Sequence, residues 1–388
     1  MSIALCTTIV LIASSVFEGF QQQIKDKVFG FWGHIHITDI SSNRSIESIP
    51  LENSKTIKEN VLNYGFTSLK TGNNTILNIE EFTLVPGILG INNEVEGLLL
   101  KGITEKNNFQ AITKFLKKGS KIRYSDSTHS RDIILSDQVA QKLQIDTGSS
   151  IIVHFFVDNQ HIQRKLYLRG IYRTGLEEYD KTFAIVDQKL LQQILQWKEY
   201  EVTGLEVFIH DLPNVDKVNE ILFDEVLPPS AYSESIRTKY PYIFEWLSLQ
   251  DINKYFILGI IVFVCIINIA TILLILIMSR TPMIGLLSAL GMKTWDQRKI
   301  FIRYGIRIIL GGMIIGNVIG IGLCFLQNKF KFIKLNEADY YLDHAPISLN
   351  PVLFLVVNII FFIVIVVSLL LPSYYVSKID PVKAIKFR

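Results

Sequence analysis

Cysteine is scarce in this 388-residue chain: Cys6, Cys265 and Cys324 are the three present. Each falls inside an apolar run and reads as small apolar filler in a helix. None lies between residues 18 and 254, so that long segment has no disulfide framework. Three signatures of chemistry are also missing. There is no G-x-x-x-x-G-K-[ST] loop to cradle phosphates, no G-x-S-x-G nucleophile turn and no H-E-x-x-H zinc helix. Net charge is only +3, too small a bias to argue for a nucleic-acid partner. His34 and His36 share a strand face, a spacing a metal could use. No cysteine or carboxylate pattern joins them, so both read as surface or hydrogen-bonded histidines, and no metal site is expected.

Long uncharged stretches are what the chain does have. They run over Met1–Phe17, Tyr255–Met278, Ile308–Leu326 and Val352–Leu371. A helix needs about 20 apolar residues to cross the roughly 30 Å hydrocarbon layer. The last three runs meet that length. The first begins at the initiator Met without a preceding positive charge and continues into helix-like QQQIKDKVF, so a signal peptide is not indicated; it reads as a first membrane helix cut short at its start. Lys and Arg favour cytoplasmic loops. Residues 279–307 hold Arg280, Lys293, Arg298, Lys299, Arg303 and Arg307 against Asp296 alone, and the tail after Leu371 holds Lys378, Lys383, Lys386 and Arg388 against Asp380. Both are therefore expected inside, with residues 18–254 and the loop 327–351 outside.

The outer segment alternates strand and helix patterns. HIHITDI, GLLLKGIT, RDIILS, SIIVHFFV, TFAIV and GLEVFIH read as strands. Residues 53–65, 136–145, Asp187–Trp197 and Asn214–Val226 read as helices. Residues 154–172 read as a hairpin turning at Asp158-Asn159-Gln160. The order suits a split βαβ module, with a second small module over roughly 75–160. Glu18–Phe31 and Pro241–Asn253 read as helical stalks continuing the first two spans. Arg173, Glu177, Glu178 and Asp180 read as a charged, solvated turn.

Between the second and third spans lies RTPMIGLLSALGMKTWDQRKIFIRYG. Ile284, Leu287 and Ser288 share one side of a short helix, Leu286, Ala289 and Leu290 extend its apolar face, and Gly291 stops it. Asp296 opens a second amphipathic helix with Arg298, Lys299 and Arg303 toward headgroups. A helix lying on the membrane surface and a peg for a cytoplasmic groove both fit. Gly312, Gly316 and Gly320 recur four apart, a spacing for close helix packing in lipid, either within one subunit or at a dimer seam. Ile260, Phe263 and Ile267 share a face of the second span, toward lipid or an acyl-chain cavity.

MSRTPMIGLLSALGMKTWDQRKIFIRYG resembles the segment after the second span of FtsX/MacB-type ABC permeases, and DPVKAIKFR resembles their C-terminal pattern. VFEGFQQQIKDKVFGFWGHIHIT (16–38), RGIYRTGLEEYDKTFAIV (169–186) and FIKLNEADYYLDHAPISLNP (332–351) are similar to the lipoprotein-releasing branch (LolC/LolE type). The resemblance runs through essentially the whole chain. It implies a polytopic α-helical membrane protein of the bacterial inner membrane. Four transmembrane helices are expected, with a large α+β periplasmic domain of MacB-like type between helices 1 and 2. The implied division is helix 1 at 1–17, periplasmic domain at 18–254, helix 2 at 255–278, coupling and amphipathic segment at 279–305, helix 3 at 306–326, periplasmic loop at 327–351, helix 4 at 352–371 and cytoplasmic tail at 372–388. The implied activity is lipoprotein release without catalysis in this chain, ATP and Mg residing on partner ABC ATPase subunits. A second permease subunit, identical or paralogous, lipoprotein cargo and a periplasmic carrier are the other implied partners. Ile284, Gly285, Leu286, Leu287, Ala289, Leu290 and Gly291 are carried over as the ATPase-docking helix. Three features depart from the pattern: Met283 stands where the family has Glu, the stretch preceding the first span is absent, and the outer hairpin turns within Val157–His161 where one family member has a long carrier-gripping hairpin. A MacB-type efflux permease and a membrane-anchored FtsX-like regulator of periplasmic hydrolases are the alternatives.

Overall fold

The computed structural model describes residues 1–42, 48–64, 76–91, 94–105, 110–124, 129–210, 212–336, 340 and 342–370. The tail 372–388, with its basic residues and the DPVKAIKFR pattern, lies outside them. The chain divides into two units. One comprises Met1–Gln23, Glu245–Asn336 and Leu342–Arg388, and the other Ile24–Phe244 and Glu337–Tyr341.

The first unit is built from helices. α1 (Ser2–Phe31), α9 (Pro241–Ser279), α11 (Thr294–Phe330) and α12 (Pro351–Ser368) are long and apolar enough to cross a membrane. The short α10 (Thr281–Ala289) sits in sequence between the second and third. At 39 residues, α9 is about 58 Å long, well beyond the hydrocarbon thickness. Its first turns therefore carry Glu245, Asp251 and Lys254. There Lys254 pairs with Glu18 of α1 at 3.8 Å and Trp246 meets Phe20 with ring centroids 5.6 Å apart. Deeper in the unit, Cys6, Cys265, Ile269, Phe301, Ile309, Phe361 and Ile365 share one apolar core. Asp296 does not open a separate helix as expected. α11 runs unbroken from the amphipathic stretch into the third apolar run, because Gly305 is its only interior breaker before Gly311 and is packed against Leu369, where a Cβ would meet Cδ1 at 3.0 Å.

The second unit carries a 10-stranded sheet. In chain order come β1 (Ile35–Asp39), α2 (Ser54–Asn63), β2 (Ile76–Ile91), β3 (Glu94–Ile103), α3 (Gln110–Phe115), β4 (Leu116–Gly119), β5 (Asp132–Ser136), α4 (Asp137–Lys142), β6 (Ser150–Val157), β7 (Gln160–Tyr172), α5 (Glu177–Thr182), β8 (Phe183–Asp187), α6 (Gln188–Ile194), β9 (Gly204–Ile209), α7 (Val215–Ile221), β10 (Ala231–Ser235) and α8 (Ile236–Lys239). Strand order is β10-β1-β9-β2-β3-β8-β5-β7-β4, with β6 paired to β2 and β7. The expected hairpin is β6–β7. Val157 pairs with Gln160, and Asp158 and Asn159 take φ of 48° and 57°, the paired left-handed conformation that twists a two-residue turn to suit its strands. Ser136 caps α4 by accepting from Val139 N at 3.2 Å.

Among the described residues two apolar cores lie along the sheet. One joins Val85, Leu89, Leu100, Ile133, Val153, Leu168, Val186 and Ile194. The other joins Ile35, Ile37, Ile57, Ile79, Leu205, Val207 and Val218. The second module expected over 75–160 thus reaches past residue 190. The reason is pairing: β5 lies parallel to β7, and β3 parallel to β8, so later strands are needed to close that core. The expected charged turn at 173–180 is also different. Asp180 is buried and accepts from Thr174 N (3.0 Å), Thr174 Oγ1 (2.8 Å) and Gly175 N (3.1 Å), while Tyr179 is buried beside it. Burial pushes the Asp180 carboxyl up from its ordinary pKa, against those hydrogen bonds. The turn is organised from within by one carboxylate and is not a solvated loop.

Candidate functional site

α10 is a short helix with well-defined ends. Pro282 occupies its first turn, where a missing N–H costs nothing. At the other end Gly291 takes φ 87°, Gly291 N donates to Ser288 O at 3.0 Å, and Met292 N donates to Leu287 O at 3.0 Å. Those two bonds are the double closure that ends a helix at a left-handed glycine. Gln297 of α11 then fastens the helix: its buried Nε2 donates to Ser288 Oγ at 2.8 Å and to Met292 O at 3.2 Å.

This anchoring splits the residues expected to dock a partner. Ile284 is 1% exposed and joins the apolar core of its own unit, and Gly285 is buried as well. Leu287 is half-buried. Ala289 and Gly291 are exposed, and Leu286 and Leu290 more prominently so, at 57% and 76%. Met283 is exposed too. Met283, Leu286 and Leu290 stand at i, i+3 and i+7, the spacing by which a helix presents anchors to a groove. The position where the family has Glu therefore lies on the outward stripe.

The other expected residues lie apart from α10. Ile260, Phe263 and Ile267 are all exposed on α9. Gly312, Gly316 and Gly320 of α11 face α1 of the same chain. A Cβ at Gly312 would lie 2.7 Å from Ile3 Cγ2, one at Gly316 2.6 Å from Ala4 O, and one at Gly320 3.5 Å from Thr8 Cα. Thr8 Oγ1 donates to Gly316 O at 3.0 Å across that contact. Asn317 and Asn358 exchange two 2.8 Å amide bonds between α11 and α12.

Both histidines weighed for a metal are buried. His34 Nδ1 accepts from Ile209 N at 2.7 Å, and burial lowers its pKa to about 4. His36 Nδ1 accepts from Lys239 Nζ at 3.2 Å; burial first, then Lys239 and Lys101, hold it well below its ordinary pKa, so it is neutral. Among the described residues no cluster of three or more His, Cys, Asp or Glu could hold a metal. Sequence reading missed the group around His36. Lys101 and Glu206 pair at 2.6 Å with both side chains buried, and Lys101 Nζ lies 4.0 Å from the Trp32 ring centre. Their only signal is a lone charge within each of two apolar strands, GLLLKGI and GLEVFI.

The FtsX-like permease C-terminal model matches residues 255–381. The lipoprotein-releasing system transmembrane protein LolC of Buchnera aphidicola is 24% identical, over 98% of this chain and 90% of its own length. LolC of Neisseria meningitidis is 23% identical, over 99% and 92%. LolE of Haemophilus influenzae is 20% identical, over 99% and 92%. Over nearly its whole length the chain is similar to transmembrane proteins of the lipoprotein-releasing system. The match to the FtsX-like model spans most of α9 and all of α10, α11 and α12, so the exposed stripe Met283, Leu286 and Leu290 falls inside it. The periplasmic region of MacB from Actinobacillus actinomycetemcomitans is 15% identical, covering 54% of this chain and 91% of that chain with a TM-score of 0.35, a likeness too slight to bear on the fold.

Proposed function

We propose that this chain is the permease subunit of an inner-membrane ABC transporter that releases lipoproteins. The near full-length similarity to lipoprotein-releasing transmembrane proteins carries this reading. In this reading the sheet unit lies in the periplasm and α10 in the cytoplasm, which the basic residues flanking α10 support. The stripe Met283, Leu286 and Leu290 docks on a separate ATPase subunit, which hydrolyses ATP. Gln297 and Ile284 hold α10 fast to α11 and the core, so a push on α10 moves α11 and does not merely bend a loop. A second permease subunit completes the complex, with Ile260, Phe263 and Ile267 lining the acyl-chain cavity between the two.

The energetics require such coupling. Each buried CH₂ is worth about 0.8 kcal/mol, so drawing a multi-acyl anchor out of lipid costs roughly tens of kcal/mol unless an apolar receiver takes it up. ATP and a hydrophobic carrier together meet that requirement. The test is reconstitution of the chain with its ATPase in liposomes holding an acylated lipoprotein. Transfer of the lipoprotein to a soluble carrier on adding ATP is expected. Efflux of a soluble compound with no lipoprotein transfer would overturn the reading in favour of a MacB-type permease.

A further inference from the structure

Two apolar cores of the sheet unit share the long strand β2, whose Ile79 belongs to one and Val85 and Leu89 to the other, and a buried ionic bridge also joins them. Lys101 follows Leu100 of the first core on β3, and Glu206 lies between Leu205 and Val207 of the second core on β9. Strand alternation turns both charged side chains away from those cores. They meet Nζ to Oε1 at 2.6 Å, with side chains 6% and 4% exposed. His36 on β1 stands directly opposite Glu206, its Nε2 3.8 Å from Oε1. Glu234 of β10 and Glu80 of β2 occupy the same cross-strand row. Lys239 of α8 donates to His36, and Trp32, Phe82 and Phe183 pack edge-on around the group.

Its place in the chain is as telling as its chemistry. Trp32 directly follows α1, and α8 ends at Lys239 just before α9 opens at Pro241. α1 and α9 are each continuous helices that run from this unit into the apolar one. The group thus touches both cores and both points where the chain enters and leaves the outer unit.

The geometry points to a positioning network: Lys101, Glu206, His36 and Lys239 lock the two halves of the outer unit to each other and to the roots of α1 and α9, so that movement of those helices carries both halves together. The shared strand β2 joins the halves along one line and leaves them a twist about it, and apolar contact has no directional preference with which to fix that twist. A buried ion pair has one favourable geometry, and its contribution is a fixed arrangement more than net stability. What the network positions, the release step, rests on the proposed function; the lock itself does not.

The test uses the full chain with its ATPase in lipid nanodiscs. Glu59 and Gln141, exposed on α2 and α4, one in each half, are changed to Cys in a background with the native cysteines replaced by Ser, and spin-labelled. The native distance distribution should be narrow. Lys101→Met with Glu206→Gln, which removes both charges together, should broaden it at least two-fold, and Lys101→Arg, which keeps the pair, should restore it. An unchanged distribution in the double variant overturns the lock whatever the chain transports. On the same samples, lipoprotein released per ATP hydrolysed should fall at least ten-fold in the double variant and recover in Lys101→Arg. An unchanged ratio overturns the positioning role. Should the double variant fail to assemble, the charge exchange K101E/E206K, which keeps the pair with its ends reversed, should leave both the distance distribution and the release ratio native, and a broadened distribution overturns the lock. If native complex releases no lipoprotein, the proposed function falls, while the distance measurement still decides the lock.

Discussion

Gly316 in the helical unit and Glu206 in the sheet unit are both buried against a neighbouring element, and they hold it by opposite means. At Gly316 the absence of a side chain lets the backbone of α1 come so close that a Cβ would lie 2.6 Å from Ala4 O. At Glu206 a charged side chain crosses between two apolar cores. The difference follows from the solvent. Lipid tails are as apolar as leucine, so helices in a bilayer gain little from apolar burial and associate through close approach and interhelical amide bonds; the glycine seam and the Asn317–Asn358 pair supply both. In water, apolar burial drives association by itself, and the buried pair adds the fixed geometry that apolar contact does not supply.

The comparison can be broken from either side. The largest effect is expected at the ion pair. Lys101→Met alone strands a buried carboxylate and should lower the stability of the outer unit by about 3–5 kcal/mol, read by thermal melting of the full-length protein. The double neutral variant should cost much less, since no charge is left unpaired. In the helical unit, Gly316→Val should cost about 3 kcal/mol through forced overpacking and reduce the monodisperse fraction in detergent. Gly311→Val and Gly322→Val, whose Cβ atoms would meet nothing within 4 Å, should leave it unchanged.

A comparable effect belongs to His34. Its folded pKa of about 4 lies below the ordinary 6.5, so the unfolded chain takes up the proton first as pH falls. Stability is therefore complete above about pH 6.5 and declines toward pH 4, by roughly 3 kcal/mol. His34→Asn, which keeps an acceptor for Ile209 N, should flatten that slope in a pH series of melts. The smallest change is expected for Asn358→Leu, which removes one amide pair among helices and should cost about 0.6 kcal/mol.

What could be read from the sequence divides along the same line. The apolar helices, the β6–β7 turn, the Ser136 cap and the glycine stop of α10 are local, each set by a few adjacent residues. β2 is not predicted by periodicity, because Pro86, Gly87 and Gly90 break its pattern; the partner strand accounts for Gly87, where a Cβ would lie 2.6 Å from Leu100 Cδ1. The extent of the first core depended on parallel pairings between strands far apart in sequence. Within the docking helix, the apolar residues were legible but their division was not. Ile284 and Leu286 look alike in sequence, and only Gln297 and the core decide that one turns in and the other out.

The central claim is that the outward stripe of α10 receives work from a separate ATPase. Leu286→Asp with Leu290→Asp tests it most directly, because both side chains are exposed and the change spares the fold. Co-purification with the ATPase should fall at least ten-fold and cargo should no longer stimulate ATP hydrolysis, with melting unchanged. Undiminished co-purification and undiminished stimulation would contradict the account.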